Sequence, residues 1–435
     1  MTDLELNARK AKFASHKLQT LSSETKNNAL LSVANALIEH KDEIISANKI
    51  DLENAIKAEL STPLVKRLKF DENKINDVVD GIRSLINLKD PVGELRLHTT
   101  LADNLELYRV TCPIGVVGVI FESRPDALVQ IASLCIKSGN AVFLKGGSEA
   151  MLTNDILSKV IYQAGIDAGL PEGWLYLLTS RADVTGMLSL NQYIDLIIPR
   201  GSNAFVQYIM QNTTIAVLGH ADGVCHTYID DEADFDMALK VTLDAKTQYV
   251  STCNTTETIL INRSIADKMV PALTKKLNEA GVEMYIDGED SLLTSLVDSS
   301  MVAGNVTNWH HEYLDMKVSI KLVDSLDEAI DHINQYGSGH TDAIITANKE
   351  KADKFQLAVD SGCVLVNCST RFSDGFRFGF GAEVGVSTSK IHARGPVGLE
   401  GLMSYKYKLV GNGDTVGEFA NKTKSFTHIY HKLGE

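Results

Sequence analysis

Apolar residues near the start of the chain recur at helical spacing. Leu30, Val33, Ala34, Leu37 and Ile38 follow the i, i+3, i+4, i+7, i+8 rule. Ile75, Val78, Val79 and Ile82 repeat it behind Asp71, whose short carboxylate suits a helix N-cap. Residues up to about 95 therefore read as a helical preface. From His98 to Val110 the pattern turns extended around the turn-forming pair Asp103-Asn104, which predicts a hairpin.

An alternation of short apolar runs and amphipathic stretches follows. Strands are predicted at Gly115 to Phe121, Ala141 to Leu144, Trp174 to Leu178, Leu196 to Ile198 and Ile215 to Leu218. Helices intervene from Asp126 to a stop at Gly139-Asn140, from Ser148 to Ala168, from Asp183 to Leu190, and from Ser202. Short links between parallel strands imply right-handed crossovers and a doubly wound sheet, whose ligands bind at the carboxyl ends of the strands. A second block repeats the scheme, with strands at His226 to Ile229, Glu257 to Ile261, Val318 to Val323, Thr341 to Thr346 and Cys363 to Asn367. The fold class is thus α/β, with a Rossmann-type cofactor domain at 1–223, a second α/β domain at 224–385 and a returning tail at 386–435. Hairpin and tail are the expected oligomerisation elements of a homo-oligomer.

Composition narrows the partners. The 435 residues are 44% hydrophobic and carry a formal net charge of -14, without a dense Lys/Arg run, so nucleic acid and acidic membrane surfaces are excluded as expected partners. An anionic small-molecule substrate would need individually placed basic residues. Six cysteines lack any CxxC pair or zinc-like spacing, which gives no metal site and no disulfide framework. Neither a signal-peptide pattern nor an apolar run of about 18 residues is present, so a cytoplasmic protein is expected.

The candidate chemistry centres on Cys253. It lies in the polar, hydroxyl-rich run Gln248-Tyr249-Val250-Ser251-Thr252-Cys253-Asn254-Thr255 ahead of the apolar Ile259-Leu260-Ile261. A core-filling cysteine sits among apolar neighbours and is inert, whereas a nucleophilic thiolate needs donors and access to solvent. Two turns, Lys145-Gly146-Gly147-Ser148 and Arg200-Gly201-Ser202-Asn203, open helices after strands. They read either as phosphate cradles at helix N-termini or as ordinary strand-to-helix turns, since neither is a GxGxxG fingerprint. Arg124 could hold a carboxylate or phosphate, or pair with Glu122 or Asp126. His220, Arg371 and Asp374 stand in loops that could line a pocket.

Several motifs carry a resemblance. The run from Pro113 to Ile120, the strand-end Lys145, Gly201-Ser202, Cys253 before a strand and Glu312 in His311-Glu312-Tyr313 resemble the aldehyde dehydrogenase superfamily over nearly the whole chain. Ile198-Pro199-Arg200-Gly201-Ser202, Ala245-Lys246-Thr247-Gln248, Cys253-Asn254 and above all His332 to Ile344 resemble its gamma-glutamyl phosphate reductase branch. That resemblance implies NADPH-dependent reduction of L-glutamyl 5-phosphate to L-glutamate 5-semialdehyde, the second step of proline biosynthesis, with the substrate channelled from a glutamate kinase. It implies Cys253 as nucleophile with Asn254 beside it, and Lys145, Gly201, Ser202 and Glu312 on the cofactor. Arg124, His220, Arg371 and Asp374 become the candidates for the substrate. Aldehyde oxidisers place a glutamate before the Leu-Gly-Gly turn to activate water, but this chain reads Ala216-Val217-Leu218-Gly219-His220. Lacking that carboxylate, the thiol suits exchange with an acyl phosphate better than hydrolytic oxidation.

Overall fold

A computed structural model describes all residues except Met1, Ser123, Ser202, Ala221, Gly381, Ala382, Gly434 and Glu435. The chain divides into two compact units. The first comprises Met1–Leu218, Phe380–Gly385 and Val397–Glu435, and the second Gly219–Gly379 and Val386–Pro396. No helix among the described residues is long and apolar enough to cross a membrane.

In the first unit, helices Asp3–Leu18, Ser23–Glu39 and Glu72–Asn87 start at Thr2, Ser22 and Asp71, each of whose side chains accepts from a backbone N–H of the first turn. Leu30, Val33, Ala34 and Leu37 are buried as their spacing predicts, but Ile38 is 40% exposed and falls outside the apolar stripe. The predicted hairpin is strands β1 (Leu95–Ala102) and β2 (Leu105–Pro113), with Asn104 left-handed at its turn.

Strands β3 (Val116–Ile120), β4 (Ala141–Lys145), β5 (Leu175–Leu177), β6 (Leu196–Pro199) and β7 (Ala216–Val217) form a parallel sheet in the order β5-β4-β3-β6-β7. The direction of winding reverses between β3 and β6, the place where such sheets open a ligand crevice. Helix Pro125–Ser138 ends as predicted at Gly139, whose φ of 74° is left-handed and whose added Cβ would lie 3.1 Å from Pro113.

The second unit is built on a parallel sheet of β8 (Cys225–Ile229), β9 (Thr256–Asn262), β10 (Glu283–Ile286), β11 (Val302–Asn305), β12 (Lys317–Val323), β13 (Thr341–Ile345) and β14 (Cys363–Val366), in the order β11-β10-β12-β9-β8-β13-β14. β10 and β11 were not expected from the sequence. β11 is a half-exposed edge strand containing Gly304, so neither apolar alternation nor strand propensity marks it. Ile259, Ile261, Ile320 and Leu322 meet Met269, Val270 and Leu273 of helix Ala266–Glu279 in the core.

Strands β15 (Gly385–Ser387) and β16 (Gly395–Val397) pair with each other. The tail supplies β17 (Met403–Val410), antiparallel to β2 from Met403 opposite Pro113 to Val410 opposite Glu106, and β18 (Ile429–Tyr430), which pairs with β1. Hairpin and tail thus satisfy each other within one chain.

Candidate active site

Cys253 occupies a turn between helix Phe235–Thr247 and β9. The turn is held by side chains: Thr255 Oγ1 donates to the Tyr249 carbonyl at 2.8 Å, and Thr252 Oγ1 to Asn254 Oδ1 at 3.1 Å. Buried Asn254 donates through Nδ2 to the Ser373 carbonyl at 2.8 Å. On the other side Gly223 presses on the turn so closely that an added Cβ would lie 2.1 Å from the Cys253 carbonyl oxygen. Cys253 is half-buried, while Cys225 is fully buried and donates to the Cys253 carbonyl at 3.1 Å. Burial, and after it the charge of Asp342, pushes the Cys225 thiol far above its ordinary value, so it is a neutral prop.

Two imidazoles join Cys253. One ligand-type atom from each of Cys253, His220 and His340 lies within 4.8 Å of the others, and the two rings meet edge to face with centroids 4.7 Å apart. Their tautomers follow from their partners. His220 Nδ1 lies 2.9 Å from the Val386 carbonyl, which can only accept, so Nδ1 carries the proton. Ser373 Oγ donates to Cys363 Sγ, Thr341 Oγ1 donates to Ser373 Oγ, and Thr341 Oγ1 therefore accepts from His340 Nδ1 at 2.8 Å. Each ring thus keeps a lone pair on Nε2. That of His340 is buried and has no hydrogen-bond partner.

Arg371 is 8% exposed and donates from Nε to Gln248 Oε1 at 3.1 Å. Burial and then Arg377 lower its proton affinity, and the charge of a Cys253 thiolate raises it, so guanidinium and thiolate are within electrostatic reach. Asp374 accepts from the backbone N–H groups of Phe376 and Arg377, and Arg377 Nη1 donates to the Arg371 carbonyl at 2.7 Å. Asp374 therefore shapes the turn that carries Arg377, which in turn holds the Arg371 backbone.

Next to this cluster β9 carries Glu257, which meets Lys246 at 2.8 Å with both side chains fully buried. Burial pushes Glu257 up to about 7 against the pull of Lys246, and burial lowers Lys246. Glu257 also accepts from Leu314 N at 3.2 Å. Glu312, half-buried, stands two residues before that anchor and adds its repulsion to Glu257.

In the first unit Lys145 ends β4 and donates to the Gly146 carbonyl at 2.5 Å. A cavity of about 260 Å³ opens there, lined among others by Lys145, Gly146, Gly147, Leu178 and Thr179. An added Cβ would meet Asn154 Nδ2 at 2.0 Å from Gly146 and Glu149 Oε1 at 2.0 Å from Gly147. Both glycines are thus required by close packing of the chain's own side chains, and the cavity beside them, with Lys145 on its wall at the carboxyl end of a strand, is the candidate cofactor position in this unit. Gly201 follows β6 at the reversal of winding, and its added Cβ would lie 3.1 Å from Glu122 Oε1. Ser202 lies outside the described residues. Arg124 pairs with Asp126 at 3.3 Å.

The sequence candidates His220, Asn254 and Arg371 are thus brought to Cys253, with Asp374 behind Arg371. His340 and Gly223 were not anticipated as site residues. His340 lies inside the His332 to Ile344 motif, but no local spacing links it to a thiol 87 residues away. Gly219–Val224, Cys253 and His340 precede β8, β9 and β13, so this cluster stands where the strands begin.

The aldehyde dehydrogenase family model matches residues 1–312 and 317–407. The chain belongs to the aldehyde dehydrogenase family. Within the family it is 59% identical over 417 residues to a gamma-glutamyl phosphate reductase of Acetivibrio thermocellus, covering 96% of each chain. A second relative of the same name, from Methanococcoides burtonii, is 50% identical over 98% of this chain and 97% of its own. The crystal structure of gamma-glutamyl phosphate reductase from Thermotoga maritima superposes with a TM-score of 0.91 at 37% identity, covering 95% of this chain and all of that one. The chain is an oxidoreductase, and its family works with nicotinamide cofactors.

Proposed function

We propose that the chain reduces L-glutamyl 5-phosphate to L-glutamate 5-semialdehyde and phosphate, with NADPH as reductant and a thioester on Cys253 as intermediate. The observation that carries this reading is a half-buried cysteine whose sulfur lies within 4.8 Å of a ring nitrogen of each of two histidines, in a chain with Val217 where an oxidiser would hold its water-activating carboxylate. The 59% identity to a gamma-glutamyl phosphate reductase supplies the substrate.

In this reading an imidazole Nε2, that of His340 or His220, takes the proton from Cys253 Sγ. The thiolate attacks the acyl carbon, the C–O bond to phosphate breaks, and phosphate leaves with the electron pair. Arg371 offers a fixed positive charge to the anionic substrate and to the oxyanion of the displacement, in a partly dry site where such charge is worth most. Asn254 holds the turn through Ser373 and keeps Sγ in place. Bound NADPH would supply a hydride to the acyl carbon; with it the C–S bond breaks, the electron pair returns to Cys253 as thiolate and the aldehyde is released. Lys145, Gly146, Gly147 and Gly201 would hold NADPH, with Ser202 and Glu312 as the further residues that the family resemblance implies.

Phosphate separates this reaction from aldehyde oxidation. Run in reverse with semialdehyde and NADP⁺, the enzyme should require phosphate, and Cys253→Ala should abolish NADPH formation. Equal rates with and without phosphate would contradict the proposal and point to release of a free acid.

A further inference from the structure

We propose that Cys253, His220 and His340 form a site for a borderline-soft divalent transition metal, Zn²⁺ above all, whose binding reversibly withdraws the thiol from reaction. Donor atoms of the three residues lie within 4.8 Å of one another. Ligands around a tetrahedral zinc with bonds near 2.0–2.3 Å stand about 3.5 Å apart, so closure needs shifts of only about 1 Å. One thiolate and two imidazoles, with a fourth position open, match the donor preference of zinc and offer magnesium or calcium no carboxylate oxygen.

The surroundings of the ligands point the same way. His340 is fully buried, and its Nε2 has no hydrogen-bond partner. With Nδ1 turned to Thr341 Oγ1 at 2.8 Å and toward Cys225 Sγ at 3.9 Å, Nε2 is the atom that the ring offers to the cluster. An orphaned buried lone pair costs the fold free energy, which a ligand bond would recover. His220 has the same outer support, since Nδ1–H donates to the Val386 carbonyl at 2.9 Å. Metal-bound histidines commonly donate their other ring N–H in this way, which fixes the tautomer and aims the lone pair.

Binding involves no redox change. The Cys253 S–H bond breaks, an S–metal bond forms, and the proton passes to solvent. The sulfur lone pair that would attack an acyl carbon is then bound. The site itself rests on geometry alone, whereas loss of turnover on metal binding also rests on the proposed role of Cys253.

Chelator-treated full-length protein titrated with Co²⁺ should bind one ion per chain. It should show a thiolate-to-cobalt charge-transfer band in the near ultraviolet together with visible bands of tetrahedral strength. Added Zn²⁺ should erase these bands and slow alkylation of Cys253 at least tenfold. Cys253→Ser should remove the charge-transfer band, and His220→Asn should weaken Zn²⁺ binding by at least the roughly 10–100-fold that loss of an outer-shell partner causes. Because His340 is buried, His340→Gln is informative only if its melting transition survives, so the other two variants carry the test. His98→Asn, in the separate His98, Glu106, His431 cluster, should change nothing. A band that is absent, that persists in Cys253→Ser, or that disappears in His98→Asn would overturn the site. An intact band with undiminished NADPH consumption would overturn the inhibition and the catalytic role of Cys253 together, leaving the metal site standing.

Discussion

The two parallel sheets carry their polar residues at opposite ends of their strands. In the first unit the strands are apolar until they finish, then run into Glu122 after β3, Lys145 at the end of β4 and Arg200 after β6. In the second unit the order is reversed: Cys225, His226 and Thr227 open β8, Thr256 and Glu257 open β9, and Thr341 and Asp342 open β13 ahead of Ala343-Ile344-Ile345. The helix dipole explains why the two ends suit different tasks. Crossover helices present their N-termini at the carboxyl ends of the strands, which favours phosphate, and their C-termini at the entering ends, which does not favour a thiolate. In the proposed reaction activation of Cys253 would therefore come from side chains, and His220, His340 and Arg371 are the groups gathered there.

The largest expected effect tests the polar layer that supports the entering ends. Lys246→Met leaves the Glu257 carboxyl buried without its partner and should lower unfolding stability by about 3–5 kcal/mol in urea titrations. Lys246→Met with Glu257→Leu should recover most of that loss, because the cost lies in the unpaired charge. If the single variant were as stable as the parent, the layer would not be a buried ion pair.

Gly223→Ala probes the same end through the backbone. Its Cβ cannot fit 2.1 Å from the Cys253 carbonyl, so the turn must move, and kcat should fall about 100-fold with little change in the melting temperature of the first unit. Unchanged kcat would show that Gly223 does not set the thiol position.

His332 gives the second unit a pH signature. Burial first, then His226 and Lys321, lower its imidazole to about 3, and neither ring nitrogen has a hydrogen-bond partner. Well above pH 6.5 it is neutral whether folded or unfolded. As pH falls below 6.5 the unfolded chain takes up a proton that the folded chain refuses, so stability declines until about pH 3. Between about pH 6.5 and 5 the loss should be about 1–2 kcal/mol, and His332→Leu should remove it. An equal loss in the variant would assign the acid sensitivity elsewhere.

The smallest effect belongs to the first unit. Lys145→Met should raise the KM for NADPH about tenfold while leaving the rate of Cys253 alkylation unchanged, because cofactor contacts at a strand end contribute binding rather than nucleophilicity. A slowed alkylation would blur the division between the two sheets.

Much of this was legible in sequence because strands and helices announce themselves by local period. The Gly139 stop, the Asp71 cap and the Asp103-Asn104 turn fell where residue chemistry put them. Cys253 stood out because its neighbours are hydroxyls and amides rather than aliphatic side chains. Its companions were harder to find. His340 reaches the thiol only because β13 lies beside β8 and β8 beside β9, a strand order fixed by long-range packing. Gly223 matters only through a tertiary contact, and β11, exposed and glycine-bearing, lacks the period that local reading needs. The position of polar residues within each strand was visible throughout.

The central claim is a thioester on Cys253 formed in exchange with phosphate. It is tested most directly by incubating the protein with L-glutamate 5-semialdehyde and NADP⁺ in phosphate-free buffer, quenching in acid and mapping the modified peptide by mass. The account predicts one glutamyl group per active chain, carried by Cys253, accumulating without phosphate and discharged when phosphate is added. Continued turnover without phosphate and without an adduct, or an adduct on any other residue, would contradict it.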